Sequence, residues 1–472
     1  MPRYAAGVQK IYAGSRLRRL REERRLTQLA LAKTLGLSPS YLNQLENDQR
    51  PLTVPVLLKL NSMFELDPTF FATDTDARLV ADLQDVLSET TDAVSSAEVQ
   101  ELVSRMPAVG HTLVELHRRL YAATEQIERM SLGLEGTVVA DSGRVPMPYE
   151  EVRDFFYDRR NHVAELDSAA EGMFRGRGLS IGALDLQLSE IMSREHGVTV
   201  SIRDDLPGAL GPKRSYDGNT LLLARRLTAG QRAYQIATQL AFLAHSALID
   251  TLVDQANGLT PQSRELARVG LANYFAGALL LPYSTFLAAA ESLRYDIDLL
   301  SLTFEVGFET VCHRLSTLQR PGSKGVPFFF VRTDRAGNIS KRQSATAFHF
   351  SRVGGSCPLW VVHDAFATPG QIRTQVAEMP DARTYLWIAR TTRSGGLGYR
   401  APEKNFAIGL GCDIAHASKL VYADDLPGAV TPIGPGCKVC ERHSCAQRAF
   451  PQLGKSLLVD ESVSTDLPYP YS

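Results

Sequence analysis

The stretch from Leu26 to Glu46 constrains the fold more than any other part of the chain, because it contains start and stop signals for two short helices. Thr27 is a helix N-cap residue, and Gly36 can adopt the left-handed conformation that ends the helix. The apolar positions expected between them are Leu29, Ala32 and Leu35. Ser38 is a second N-cap, followed at once by a proline in the first turn of the next helix. The pattern predicts a helix-turn-helix.

The outward face of the second helix is rich in polar side chains. Leu42 and Leu45 are expected to face inward, and outward Asn and Gln can bond adenine bidentately in a DNA major groove. An arginine-rich helix precedes this pair and suits contacts with phosphates. The candidate DNA-contacting residues are therefore Arg18, Arg19, Thr27, Gln28, Ser38, Ser40, Tyr41, Asn43 and Gln44. The alternative is a generic helical hairpin with a polar surface.

Composition limits the class of protein. The chain has 472 residues and a net charge of -1, so DNA affinity must come from local arginines and not from a global basic field. At roughly 150 residues per domain, about three domains are expected. We find no signal peptide and no apolar run of membrane-spanning length, which predicts a cytoplasmic protein with no membrane partner. Its cysteines are then reduced, and clustered ones are expected to be metal ligands.

The predicted fold class is α+β multidomain, with an all-α head, an α/β middle domain and a mixed α/β cysteine-rich C-terminal domain. The boundaries expected are 12–72 for the head, 73–132 for a helical linker, 149–310 for the middle domain and 311–460 for the last. The linker could pair two subunits or pack on its own chain. Middle-domain helices are predicted at 149–171, 184–195, 229–254 and 263–280, and strands at 198–203 and 221–224. Further strands are predicted at 326–332 and 385–390, with a hairpin loop at 334–338.

Two middle-domain segments, beginning at Tyr234 and Leu271, resemble the two helices of the IrrE/ImmA-type metallopeptidases. A zinc peptidase of this kind needs His-Glu-x-x-His on one helical face. Here those positions hold Thr238, Gln239 and Phe242. The position of the family's downstream carboxylate ligand falls near Val269 or Gly270, so that ligand is absent too. We therefore expect no metal site there, no catalytic residues and no enzyme activity. His245 is expected to be a surface or packing residue.

An aromatic and basic segment opens the middle domain. Its members are Arg153, Phe155, Phe156, Tyr157, Arg159 and Arg160. Such a group could hold an adenine ring and phosphates together. The alternative is an amphipathic helix that buries the two phenylalanines and pairs Arg159 and Arg160 with nearby carboxylates.

Five of the six cysteines lie in the last part of the chain. Cys437, Cys440 and Cys445 form a Cys-x-x-Cys unit with a third thiol four residues further, which can close around a metal centre. Cys412 is the first choice for a fourth ligand, Cys357 is the second, and Cys312 is expected in the core. From the spacing alone, zinc and iron–sulfur are both open, and free thiols are the third possibility.

The whole chain resembles the PrpR/RamB-type regulators of propionate, methylcitrate and glyoxylate-cycle metabolism. These combine an XRE-type helix-turn-helix, a degenerate IrrE/ImmA-like domain and a short-chain fatty-acyl regulator domain. The matching motifs lie at 149–161, 334–342, 357–360, 409–413 and 437–451. The resemblance implies an acyl-CoA effector and a [4Fe–4S] cluster in preference to zinc.

The resemblance also implies that Tyr157, Arg159 and Arg160 contact the effector. The expected protein is a transcription regulator that binds a partly palindromic operator as a homodimer or homotetramer. The alternatives are a DNA-binding stress regulator of the metallopeptidase type and a binding protein that does not contact DNA.

Overall fold

The chain divides into two compact units, residues 1–124 with 453–455 and residues 125–452 with 456–472. Within them the computed structural model describes residues 14–24, 26–47, 49–64, 74–87, 94–131, 148–203, 211–256, 258–344, 356–395, 400, 403–426, 428–452, 455–460, 462–463, 465–467 and 469–471.

The first unit begins with four helices around a leucine-rich core. They are α1 (Gly14–Glu23), α2 (Gln28–Leu35), α3 (Pro39–Glu46) and α4 (Val54–Phe64). The predicted caps are confirmed, because the side chains of Thr27 and Ser38 accept from the backbone N–H groups of Ala30 and Tyr41. Gly36 ends α2 with φ 62°. The local signals therefore build the predicted helix-turn-helix.

The prediction that Leu29 faces the core is wrong. Leu29 is 67% exposed, whereas Leu31 is fully buried together with Ala32 and Leu35. Because α2 is only eight residues long, its buried stripe is set by contact with α3 and not by the spacing from Thr27.

Three further helices complete this unit: α5 (Asp74–Leu87), α6 (Ser96–Arg105) and α7 (Pro107–Ser131). Ser95 and Glu98 form a capping box at the start of α6, and α6 ends at its C-cap Met106, directly before Pro107 begins α7. The helices bury a small cluster of Leu79, Leu83, Val99, Val103 and Val114. Leu116 and Leu120 on α7 remain 54% and 66% exposed.

The second unit contains ten helices within the described residues. They are α8 (Pro148–Asp158), α9 (Ala164–Gly176), α10 (Leu184–His196), α11 (Ala229–Ala244), α12 (Ser246–Asp254), α13 (Pro261–Leu280), α14 (Tyr283–Ser292), α15 (Ile297–Phe304), α16 (Phe308–Leu315) and the short α17 (Val361–Asp364). A small sheet accompanies the first of them, in the order β1 (Thr199–Arg203), β3 (Thr220–Ala224) and β2 (Arg214–Tyr216).

Two helices predicted as continuous are broken. Arg160 and Asn161 adopt left-handed conformations, with φ 50° and 57°, and separate α8 from α9. At His245 the chain bends by 78° between α11 and α12. Within the described residues no single helix is long and apolar enough to cross a membrane, and only this bent pair and the α13–α14 pair pass that test together.

A six-stranded sheet forms the rest of the second unit. It comprises β4 (Phe329–Thr333), β5 (Ile339–Ser344), β6 (Arg373–Glu378), β7 (Thr384–Gly395), β8 (Glu403–Asp413) and β9 (Thr431–Pro432). The strand order is β5-β4-β8-β7-β6-β9. The predicted hairpin loop joins β4 to β5, where Gly337 has φ 86°. The α+β multidomain class is confirmed.

The two faces of this sheet are covered by different parts of the chain. Leu386, Leu410 and Cys412 pack into the large core formed by the helices. Phe329, Trp387 and Ile433 belong to a second core, against which Cys357 packs. Side chains alternate along β8, so its glycines 409 and 411 lie on the second face, where a Cβ on Gly409 would meet Val331 at 2.7 Å.

Candidate functional site

The helix-turn-helix presents the predicted polar residues on the surface of α3. Ser40 and Asn43 are exposed, and Tyr41 and Gln44 are half-buried. Asn43 Oδ1 accepts from Gln28 Nε2 at 3.2 Å and from Asn47 Nδ2 at 3.0 Å. These bonds orient the Asn43 amide on the outward face of the second helix.

A buried carboxylate that the sequence did not reveal supports this surface. Glu46 is 4% exposed and accepts from Arg21 Nε at 2.7 Å. Gln28 Nε2 also donates to Glu46, at 3.1 Å, so α1, α2 and α3 meet at one polar network. The bond with Glu46 raises the pKa of Arg21. This arginine therefore holds the motif together instead of lying free for a phosphate.

The other predicted phosphate contacts differ in their surroundings. Arg18 is exposed and donates from Nη2 to Asn47 Oδ1 at 2.7 Å. The side chain of Arg19 lies outside the described residues. Arg18 thus lies near the C-terminal end of the second helix, on the surface that carries Asn43.

The positions of the absent zinc ligands are filled by internal hydrogen bonds. Thr238 Oγ1 donates to the carbonyl of Tyr234 at 2.8 Å, and it lies 3.4 Å from Asn273 Oδ1. Tyr234 OH donates to the Asn273 carbonyl at 2.9 Å. His245 packs at 4.8 Å from the Phe275 ring, and burial lowers the pKa of its imidazole. Among the described residues, no group of three or more His, Cys, Asp or Glu side chains is arranged to hold a metal ion.

A cavity of about 520 Å³ lies between α8, α13, α16 and β5. Aromatic, basic and polar side chains line it together. The lining includes Tyr149, Glu150, Arg153, Phe156, Gly270, Tyr274, His313, Lys341 and Arg342. Gly270 lets α13 approach α8 closely, since a Cβ there would lie 2.8 Å from the Phe156 ring. The volume and the mixed lining suit a ligand that carries both a ring and anionic groups.

The charges around the cavity are unbalanced. Burial lowers the pKa of Lys341 to about 8, although Glu309 opposes this shift. Burial also lowers the pKa of His313, and the nearby Lys341 acts in the same direction. Arg153 Nη1 donates to Glu150 at 3.0 Å. Among the described residues that line the cavity, basic side chains therefore outnumber the single carboxylate, Glu150.

Four cysteines line a second, small cavity of about 20 Å³, although they do not lie close enough to form a ligand group as they stand: Cys357, Cys437, Cys440 and Cys445. Burial raises the pKa of the Cys357 thiol, and the backbone N–H groups of Leu359 and Gly434 act in the opposite direction. A Cβ on Gly434 would lie 2.5 Å from Cys440 Sγ, so glycine is required at this close approach.

Arg448 organises the loop that carries three of these thiols. It is 4% exposed and donates to four backbone carbonyls. Nη1 reaches Cys437 O at 2.9 Å, and Nη2 reaches Cys440 O at 2.9 Å and Arg442 O at 2.6 Å. Its contact with Phe450 O is 3.2 Å. The loop is thereby held with its thiols on one side.

Three family models match the chain. They are Helix-turn-helix over residues 17–71, IrrE N-terminal-like domain over 193–316, and Short-chain fatty acyl coenzyme A regulator, C-terminal, over 317–469. The HTH-type transcriptional regulator PrpR of Mycobacterium tuberculosis is 59% identical over 471 residues, which cover 98% of this chain and 97% of the relative. The chain belongs to the PrpR/RamB family of transcriptional regulators.

Two further relatives agree. RamB of Mycobacterium tuberculosis is 49% identical over 475 residues, covering 98% of this chain and 99% of its own. The propionyl-CoA carboxylase regulator of Cereibacter sphaeroides is 43% identical over 466 residues, with 98% and 99% covered. A solved Mycobacterium tuberculosis transcriptional regulator has a TM-score of 0.66 and 61% identity, and it matches 69% of this chain and 100% of its own. The protein is a DNA-binding transcriptional regulator, and operator DNA is its partner.

The structure places the three effector residues inferred for this regulator away from the large cavity. Arg159 lies 3.9 Å above the Phe155 ring and donates to the Phe155 carbonyl at 3.1 Å. Arg160 is in the turn after α8, and its N–H bonds the carbonyl of Tyr157 at 2.7 Å. Of the described lining residues, those on α8 come from 149–156. The side of α8 that faces the cavity therefore carries Arg153 and Phe156. The residues expected from the sequence, Tyr157, Arg159 and Arg160, do not line the cavity.

The structure does not bring Cys412 to the other cysteines of the regulator. It is fully buried in register with Leu386, on the helix-facing side of the sheet. Cys357 packs on the opposite side and lines the cysteine cavity. Of the two candidates for a fourth ligand, Cys357 therefore lines the same cavity as the other three cysteines and Cys412 does not. Cys312 is in the core as expected.

Proposed function

We propose that this regulator binds a short-chain acyl-CoA in the large cavity between α8, α13, α16 and β5. The observation that carries the proposal is that aromatic and basic side chains line the same cavity of about 520 Å³. Arg153 and Arg342 would face phosphates, and Phe156 and Tyr149 offer surfaces for the adenine ring or the pantetheine arm. The description of the matching C-terminal family and the name of the Cereibacter relative support this ligand class.

Calorimetric titration of the full chain with propionyl-CoA, acetyl-CoA and free CoA tests the proposal. Arg153→Gln and Arg342→Gln should each weaken binding by roughly tenfold or more, as expected for loss of a charge-assisted bond. Arg159→Gln is the matched control, because this arginine lies over Phe155 and does not line the cavity. Equal loss in the control and the cavity variants would contradict the proposed site.

We further propose that Cys357, Cys437, Cys440 and Cys445 hold a [4Fe–4S] cluster, with zinc as the alternative. Four cysteines that line one cavity match the donor set of both groups, and a bound metal would offset the cost of burying their thiolates. Either group would tie the loop of 437–445 to the segment at Cys357, and an iron–sulfur cluster would also supply sensitivity to redox state. The cavity of about 20 Å³ is closer to the size of a single zinc ion than to that of a four-iron cluster, and this is the observation that supports the zinc alternative.

Metal analysis separates these two possibilities. Protein purified without oxygen is measured for iron, acid-labile sulfide and zinc per chain, together with its visible spectrum. Broad absorption that bleaches on reduction, with about four irons per chain, supports the cluster. A full equivalent of zinc with no sulfide supports the alternative, and an absence of both contradicts a metal role for these cysteines.

The oligomeric state and its coupling to the effector complete the proposal. Val109, Leu116 and Leu120 are exposed on α7 at helical spacing, which is typical of a surface that pairs with another helix. A dimer would match a palindromic operator. If propionyl-CoA changes operator affinity, operator DNA must change propionyl-CoA affinity by the same factor. Light scattering of Leu116→Gln with Leu120→Gln, and operator titrations with and without propionyl-CoA, test both points.

We propose no hydrolytic role for the middle domain. Thr238 and Phe242 occupy the ligand positions, and the relatives are named transcriptional regulators. Zinc-dependent cleavage of a protein substrate by the full chain would support the alternative, a stress regulator of the metallopeptidase type.

A further inference from the structure

Among the described residues that line the large cavity, Lys341 is the only lysine. It lies on β5, directly opposite Arg332 of β4. Its Nζ atom is 5.9 Å from the centre of the Phe330 ring. Arg332 in turn engages the Glu309 carboxylate at 2.9 Å. Within the described part of the chain, no carboxylate lies within ion-pair distance of the Lys341 ammonium.

This environment changes the chemistry of the Lys341 amine. Burial lowers its pKa from 10.5 to about 8, while Glu309 raises it and Arg332 lowers it. At neutral pH such an amine is uncharged roughly two orders of magnitude more often than an ordinary lysine. The neutral amine is the nucleophilic form of the side chain.

We propose that Lys341 is a site of covalent acylation by the acyl-CoA that this cavity holds. The inference rests on the proposed acyl-CoA binding. The Lys341 nitrogen attacks the thioester carbonyl carbon, a C–N bond forms and the C–S bond breaks. The proton released by the amine passes to the departing thiolate, so that the products are an amide and free CoA. No oxidant or further reactant is needed.

The acyl group stays attached to Lys341 after CoA has left the cavity. The amide removes a positive charge from the cavity lining and leaves the short acyl chain beside Phe330. The charge balance of the cavity would then stay altered after CoA has dissociated. Reversible binding alone ends with dissociation, whereas the acylated chain keeps the change until the amide is removed.

Lys213 provides a matched comparison within the same chain. Desolvation lowers the pKa of Lys213 too, and this lysine also lies near Glu309 and Arg332, although its side chain is more exposed than that of Lys341. However, Lys213 is not among the described residues that line the cavity. Nucleophilicity alone would therefore acylate both lysines, and only a bound acyl-CoA distinguishes Lys341.

The test incubates the full chain with propionyl-CoA and locates the adducts by peptide mass spectrometry over time. We expect one propionyl group on Lys341, with a rate that saturates with propionyl-CoA and falls when free CoA competes. The rate at Lys341 should exceed the rate at Lys213 by about tenfold or more, because only one of them meets a held thioester. It should rise from pH 7 to 9 as the amine loses its proton, with Glu309, His313 and Arg332 facing it.

Titration calorimetry on the same samples separates the two proposals. Lys341→Arg should abolish the adduct and still bind propionyl-CoA, because the positive charge is kept. Binding without an adduct on Lys341, or equal and unsaturated rates at Lys341 and Lys213, would overturn the acylation and leave the binding proposal standing. An absence of propionyl-CoA binding by the wild-type chain would overturn both.

Discussion

Arg314 Nη2 donates to Asp167 Oδ1 at 2.6 Å, and the two side chains are 2% and 0% exposed. Tyr274 OH donates to the other carboxylate oxygen at 2.8 Å, and Tyr274 also lines the large cavity. Arg314 further bonds Leu281 O at 3.0 Å. The ion pair therefore joins α9, α13 and α16 beneath the proposed effector site.

Removing one partner of this pair should be strongly destabilising. We expect Asp167→Asn and Arg314→Met each to lower the free energy of unfolding by about 3–5 kcal/mol, because an unpaired charge or donor stays buried. The measurement is urea denaturation of the full chain followed at the Trp387 signal and by circular dichroism. The double variant Asp167→Leu with Arg314→Met is the control and should recover part of the loss. Two single variants with wild-type stability would show that the pair is not intact in solution.

The same carboxylate predicts a specific pH dependence. Burial raises the pKa of Asp167, but Arg314, the nearby His162 Nε2 at 3.1 Å and the hydrogen bond from Tyr274 together lower it to about 2. A lowered folded-state pKa stabilises the fold above the unfolded-state pKa of about 4, and this contribution disappears as the pH falls towards 2. The stability difference between wild type and Asp167→Asn should thus be constant near neutral pH and shrink below about pH 4. A difference that shrinks above pH 5 would contradict this assignment.

Gly270 and Gly277 offer a matched pair on α13. A Cβ at Gly270 would press on the Phe156 ring, whereas a Cβ at Gly277 meets nothing within 4 Å. Gly270→Ala should displace Phe156 at the cavity wall and weaken propionyl-CoA binding, by about 1–3 kcal/mol as for other overpacked sites. Gly277→Ala should keep the affinity and gain about 1 kcal/mol of stability from helix propensity. Unchanged affinity in both variants would place the effector elsewhere.

The fourth cysteine can be assigned by one comparison. Cys357→Ser should lose the metal of the wild-type protein, as should substitution of Cys437, Cys440 or Cys445, because each removes a thiolate from the shared cavity. Cys412→Ala should keep it, since that thiol lies on the other face of the sheet. Iron, sulfide and zinc per chain are measured after anaerobic purification. Metal lost in Cys412→Ala and kept in Cys357→Ser would restore the assignment made from the sequence.

The sequence predicted what depends on neighbouring residues. Caps, turn glycines and the Met106–Pro107 break are short-range signals, and Thr27, Gly36 and Ser38 lie in the conformations expected of them. The missing zinc ligands are also visible in the sequence, because a helix places its ligands at fixed spacing.

The residues that the sequence misplaced or did not single out are those whose positions depend on tertiary contacts. The choice between Cys412 and Cys357 depends on which face of β8 meets the cysteine loop. Alternation along Gly409–Cys412 could have warned that the cysteine faces away from the glycines, although no short-range pattern brings Cys357 to the loop. Likewise, the left-handed turn at Arg160 ends α8 before Arg159 and Arg160 can share a face with Arg153. Lys341 lies inside the matching motif at 334–342, but the motif alone did not single it out, because its partly buried environment also depends on helices distant in the chain.

The last prediction concerns the recognition surface. Asn43→Ala should lower the preference for operator over random DNA by about 1–3 kcal/mol if its amide reads a base. Gln28→Ala should produce part of the same loss, because Gln28 Nε2 orients the Asn43 amide at 3.2 Å. Arg18→Gln should instead weaken operator and random DNA alike and reduce the salt slope by about one. Binding isotherms on both DNAs at several salt concentrations distinguish these effects. If Asn43→Ala weakens both DNAs equally while Arg18→Gln changes the operator preference, then the roles assigned to the two residues are reversed.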